Sequence, residues 1–190
     1  MKKELSKLIK QSYSEEEASK YIEFNLTEND SALINSFAKG IFENSPNLHN
    51  CCVPMSALWT AIIRDNTNIP VHMIAGSLDM MGRRLFGSNV ITEYKKAFSE
   101  SNLNWDGHCW VVFGDYIGDI SLLRTAYSEN TPKWLEEMIC QKFGKRKGAL
   151  LAKPSELLKC DLVYTPHYVV KDSEITDLVN SIPEITNHVR

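Results

Sequence analysis

The order of elements predicts an α+β fold, with helices first and a mainly antiparallel β-sheet with interspersed helices after them. Three observations carry that expectation. Residues 1 to about 45 show helical apolar spacing, and "CWVVFGDYIGDI" (109–120) reads as a strand, a Gly-Asp turn and a return strand. Between them, "CCVPMSALWTAIIRD" (51–65) places Met55, Leu58, Trp59, Ile62 and Ile63 at i, i+3, i+4, i+7 and i+8, one complete apolar stripe. One domain over 1–190 is expected, with an N-terminal helical part at 1–45 and the central helix and sheet at 46–190.

The elements follow in order. "EEEASKYIEF" and "NDSALINSFAKGIFEN" have helical spacing, with Ala32, Leu33, Ile34, Phe37 and Ile41 as an apolar face. "SPNLHN" (45–50) is a loop, and Pro54 suits the first turn of the helix after it, where a missing N–H costs nothing. "NTNIPVHMIAGSL" is a turn and a strand, "DMMGRRLFGSN" a mobile loop, and "VITEYKKAFSES" a further helix. Asp106-Gly107 is a turn before the apolar run Cys109 to Phe113. "TPKWLEEMICQKFG" is a helix with Thr131 as N-cap and Pro132 at N1. "GALLAK" and "DLVYTPHYVV" are strands, and "DSEITDLVNSI" is a closing helix.

Composition narrows the function. With 43% hydrophobic and 24% charged residues the chain can bury a sizeable core. Lys+Arg 21 against Asp+Glu 24 gives a formal charge of -3, without the electrostatic footprint of a nucleic-acid binder. The basic cluster "KFGKRKG" reads as a solvated helix end. No apolar run approaches membrane-spanning length and no secretory signal is read, so a cytoplasmic protein is expected. Five cysteines at 51, 52, 109, 140 and 160, an odd set without repeating spacing, fit reduced thiols there.

Three places hold candidate chemistry. A cysteine at the start of the apolar helix meets unpaired N–H groups that favour an anion and lower a thiol pKa. His108 opens an apolar strand, and Asp119 lies on the return strand. If Gly114-Asp115 are the turn residues, 113 lies opposite 116, 110 opposite 119 and 108 opposite 121. His108 and Asp119 are then diagonal neighbours on one face, about 7–8 Å apart at the backbone and within side-chain reach. A base and its orienting acid need that placement. Cys109 points to the opposite face and is expected in the core. Asp119 after Gly118 also suits plain turn chemistry.

"CVPMSALWTAIIRDNTNIPVHMIAG" followed by "GHCWVVFGDYIGDIS" resembles the transglutaminase-like branch of the papain-like Cys-His-Asp superfamily. The resemblance covers roughly residues 50 to 123. It implies a papain-like fold whose nucleophile helix packs on an antiparallel sheet. Aligning Arg64 with the family's arginine puts Cys52, rather than Cys51, at the nucleophile, with His108 as general base and Asp119 as orienting acid. The segment between His108 and Asp119 is shorter than in typical transglutaminases, and Asp119 is followed by Ile-Ser rather than Pro-Thr. Arylamine N-acetyltransferases share the triad logic, but no "RGG" precedes the cysteine.

The implied activity is cysteine-dependent acyl transfer, as peptidase, amidase or transamidase, on a peptide, protein or small amide substrate. No cofactor, metal, nucleic acid or membrane partner is expected. The backbone N–H of Cys52 is the expected oxyanion donor, with Asn47 or Asn50 as a side-chain donor. One alternative is an inactive papain-like module that holds a peptide in its cleft. Another is a zinc-stabilised domain using His49, Cys51, Cys52, His108 and Cys109, though the spacing is not that of a finger or ribbon. Trp105 and Trp110 read as core or cleft wall, and His72 and His167 as structural.

Overall fold

The computed structural model describes residues 1–44, 51–87, 98, 106–128, 131–145 and 148–188, the side chains of the last helix as far as 182. Among these residues are eight helices and six strands in an α+β arrangement around an open antiparallel sheet. The chain opens with α1 (Lys2–Ser12), α2 (Glu15–Glu23), α3 (Glu28–Asn44) and α4 (Cys52–Asn66). β1 (His72–Met80), β2 (Arg83–Phe86), β3 (His108–Phe113) and β4 (Tyr116–Asp119) follow. Then come α5 (Leu122–Ala126), α6 (Lys133–Phe143), β5 (Leu150–Ala152), α7 (Pro154–Lys159), β6 (Leu162–Val169) and α8 (Asp172–His188).

β1 organises the sheet. Its Ile74–Gly76 segment pairs with both β3 and β6, so those strands lie on opposite edges of it. Leu78–Met80 pairs with β6 and β2, which puts β2 on the same edge as β3, further along. β4 and β5 extend the sheet beyond β3. Side chains alternate across this plane. Ile74, Leu78, Trp110, Val112 and Tyr164 pack with α1, α2, α5, α6 and α7 on one face. Met73, Ala75, Cys109, Val111 and Phe113 pack with α3, α4 and α8 on the other.

Of its apolar stripe α4 holds Met55, Trp59 and Ile63 fully buried and Leu58 and Ile62 only half-buried at the stripe's edge, and it adds Val53, Ala57, Ser56 and Thr60 because α8 covers a second side. Trp59 lies so close to the sheet that a Cβ on Gly118 would stand 2.9 Å from its ring and 2.8 Å from Val111 Cγ2. Arg64, near the end of α4, ties the helix to its surroundings. Its Nε and Nη2 donate to Val71 O at 3.0 and 2.8 Å, and Nη1 pairs with Asp172 at the start of α8.

Several sequence expectations are corrected. "DMMGRRLFGSN" is not a loop over its described part: β1 runs on to Met80 and β2 returns through a turn at Met81-Gly82, both with positive φ. The charged Arg83 and Arg84 hid β2, and Met81 is an unusual turn residue. Thr131 is not the N-cap of α6. Pro132 occupies that place, while Thr131 Oγ1 bonds back to Thr125 O at 2.5 Å. The short helices α5 and α7 carry too few turns to show a period. The helix expected at 90–101 lies outside the described residues except Phe98.

Candidate active site

The hairpin has the counted register, with Phe113↔Tyr116, Val112↔Ile117 and Val111↔Gly118. Gly114 takes φ +55° at the first turn position, the geometry that suits a two-residue hairpin. His108 and Asp119 therefore share a face. His108 Nε2 lies 2.5 Å from Asp119 Oδ2, and both residues are almost wholly buried.

Asp119 is held from several sides. Oδ1 accepts the N–H groups of Ser121 and Leu122, each at 2.9 Å, and the Ser121 hydroxyl at 3.1 Å. Oδ2 accepts the Tyr164 hydroxyl at 2.8 Å in addition to the imidazole. One carboxylate thus serves both readings the sequence left open: Oδ1 closes the turn into α5 and Oδ2 faces the histidine. Burial alone would raise this carboxyl, but the imidazole and the N–H donors outweigh it and hold the pKa below its ordinary value. An ionised carboxylate only accepts, so Nε2 carries the proton between them and Nδ1 is the nitrogen free for another partner.

That partner is Cys52. A two-residue turn makes Phe113↔Tyr116 a hydrogen-bonded pair, so alternate residues of β3, Val111 and Cys109 included, aim N–H and C=O toward β4. The β3–β4 ladder stops at Val111↔Gly118, which leaves the backbone of Cys109 to the first turns of α4. Ser56 Oγ donates to Cys109 O at 3.1 Å, and the sulfur of Cys52, one turn earlier, accepts the Cys109 N–H. The sulfur thereby sits at the strand edge, in reach of the His108 imidazole from one face and the Cys109 thiol from the other.

The electrostatics follow from these contacts. Hydrogen bonding from the Cys109 thiol, against the opposing cost of burial and with help from His108, lowers the Cys52 thiol well below its ordinary value. Burial would lower His108, but Asp119 and the Cys52 sulfur raise it to about 10. Burial pushes Cys109 well up, so it stays a thiol and can donate. Both shifts favour a thiolate beside an imidazolium over the neutral pair. Cys51, the N-cap residue of α4, is instead pushed up by burial and by its neighbour Cys52.

Aromatic rings fix the imidazole. Phe86 stacks on His108 at 5.0 Å between centroids, where β2 and β3 approach each other along β1, and Trp110 stacks from the next position of that face at 6.1 Å.

The structure brings Cys52, His108 and Asp119 together. Asn47, Asn50, His49 and Trp105 lie outside the described residues. Trp110 is core, in contact with the site. His72 is buried far from the three, its Nδ1 3.4 Å from Arg64 Nη2, and burial followed by the Arg64 charge lowers it to about 3. Cys109 is buried on the opposite face as expected, but it is not plain core, since it touches Cys52. Among the described residues no group of three His, Cys, Asp or Glu side chains is disposed to hold a metal ion.

Sequence reasoning missed Ser56, Phe86 and Tyr164. Ser56 had a usable signal, since it stands four residues after Cys52 on the same helix face. Tyr164 had none, being 45 residues from Asp119. Comparisons with protein-family models, curated proteins and solved structures returned no match for this chain.

Proposed function

We propose that this protein is a cysteine-dependent acyl-transfer enzyme of the papain-like, transglutaminase-like kind, acting on an amide-linked acyl group as peptidase, amidase or transamidase. The observation that carries the reading is the continuous contact from the Cys52 sulfur through His108 to Asp119, with the sulfur at a helix start.

In this reading the Cys52 thiolate attacks the acyl carbon, and the carbonyl oxygen gains negative charge. The first-turn N–H groups of α4, not taken by the side chain of its N-cap residue, can receive that charge. His108 Nδ1 then gives its proton to the departing amine, the C–N bond breaks, and the acyl group remains on sulfur as a thioester. Water or an amine next attacks the thioester while Nδ1 takes its proton, and the thiolate leaves. Asp119 keeps the ring in the required tautomer throughout.

The test is a paired assay of Cys52→Ala and Cys51→Ala on a panel of peptides and glutamine-containing amides, reading release of amine or ammonia. Loss in the first variant with substantial activity in the second supports the reading. The reverse result moves the nucleophile to Cys51. A wild-type protein that binds peptides but never releases amine is a binding module instead.

A further inference from the structure

Tyr164 comes from a strand that neither the hairpin nor the nucleophile helix contains. It pairs with Leu78 on β1 and belongs to the face that carries His108, Trp110 and Asp119. Two strands, β1 and β3, separate its own strand from β4, yet its hydroxyl reaches Asp119 Oδ2. Gly76 makes room for this. A Cβ there would stand 2.7 Å from the Trp110 ring, so only the missing side chain lets Trp110 lie across β1. Trp110 in turn meets Tyr164 edge-on at 5.0 Å and steers it toward β4.

We infer that Tyr164 is a positioning residue that sets the proton between His108 and Asp119 and, through it, the state of the Cys52 thiol. The proposal rests, for its effect on Cys52, on the thiol reading above. The geometry places two donors on one oxygen: Nε2 at 2.5 Å and the Tyr164 hydroxyl at 2.8 Å. Each stabilises the carboxylate, so they share its basicity. Burial, and then the Asp119 charge, push the phenol well above its ordinary pKa, so it remains a donor throughout the working range. Among the described residues, the titratable groups that meet this oxygen or its histidine are Tyr164 from β6 and Cys52 from α4, while Cys109, on the opposite face of β3, is linked to them through the Cys52 sulfur. Without the hydroxyl, Oδ2 has the imidazole alone. Asp119 becomes more basic, draws the Nε2 proton closer, and its less screened charge disfavours the thiolate.

Tyr164→Phe keeps the ring packed on Trp110 and removes only the donor. The first readout is the NMR resonance of the His108 Nε2 proton, assigned by its loss in Asp119→Asn. It is expected to move downfield in Tyr164→Phe. The second is the pH midpoint of Cys52 alkylation, expected to rise by about 0.5–1 unit, part of what a hydrogen bond to a charged group can supply. If Tyr164→Phe does not fold, site-specific 3-fluorotyrosine at 164, a stronger donor of nearly the same size, is expected to move the proton upfield. A resonance that stays in place overturns the inference. So does an unmoved midpoint when wild-type Cys52 labels readily. A wild-type Cys52 that labels no faster than Cys160 would sink the thiol reading instead, and the proton resonance would still decide the hold of Tyr164 on the pair.

Discussion

Ser56 on α4 donates its hydroxyl to the carbonyl oxygen of Cys109 on β3 at 3.1 Å, with both residues fully buried. This bond is where α4 is fastened to the strand that starts with His108. It uses a carbonyl that β4 leaves unpaired, and it sets the distance at which Cys52, one turn earlier, meets the imidazole.

Ser56→Ala is therefore expected to leave a buried carbonyl without a partner, at a cost of about 1–3 kcal/mol. Chemical denaturation measures that cost. If stability and Cys52 alkylation both match wild type, the hydroxyl does not anchor the helix.

Asp119→Asn retains an acceptor for the turn into α5 but can offer an amide N–H to the imidazole. The ring is then held in the wrong tautomer, and turnover should fall by orders of magnitude, against about 10⁴-fold in the serine-protease triad. Activity within about threefold of wild type would mean that Asp119 does not orient His108.

The thiol itself gives a reading that needs no substrate. Cys52, with its lowered pKa, is expected to alkylate with iodoacetamide at about pH 6, within the range known for activated cysteines. His108→Ala removes the adjacent charge and should move the labelling midpoint upward. Peptide-resolved labelling across pH checks both, and equal rates for Cys52, Cys140 and Cys160 at pH 6 would show an unactivated thiol.

Gly118 underlies the packing of α4 on the hairpin. In Gly118→Ala the new Cβ would lie 2.9 Å from Trp59 and 2.8 Å from Val111, and both are rigidly enclosed. Overpacking of this kind costs about 1–3 kcal/mol. Thermal unfolding should show the loss, and an unchanged midpoint would mean that the helix shifts freely on the sheet.

His72 supplies a pH dependence. Burial lowers its folded pKa to about 3, from an ordinary value of 6.5. Between those values the unfolded chain binds a proton that the folded one excludes, so stability rises with pH across the window and is lost on acidification. The slope approaches about 1.4 kcal/mol per pH unit for one group. Denaturant unfolding of wild type and His72→Gln between pH 6.5 and 4 reads it, and parallel curves would place the acid sensitivity elsewhere.

The amino-acid sequence by itself determined the parts that depend on local period and turn chemistry. The stripe of Met55, Leu58, Trp59, Ile62 and Ile63 defines α4, and a two-residue turn at Gly114-Asp115 sets the parity that brings His108 and Asp119 to one face. Both are short-range, because helical spacing and hairpin register need only neighbours in the chain. Tertiary structure alone decided what surrounds them. Tyr164 reaches Asp119 only because β6 pairs with β1 and Gly76 leaves a lane across it, and Phe86 stacks on His108 only because β2 meets β3 along that strand. Cys109 touches Cys52 because the β3–β4 ladder stops short and α4 takes the open edge. Such contacts join segments tens of residues apart, and no local periodicity records which strand edge a distant helix will cover.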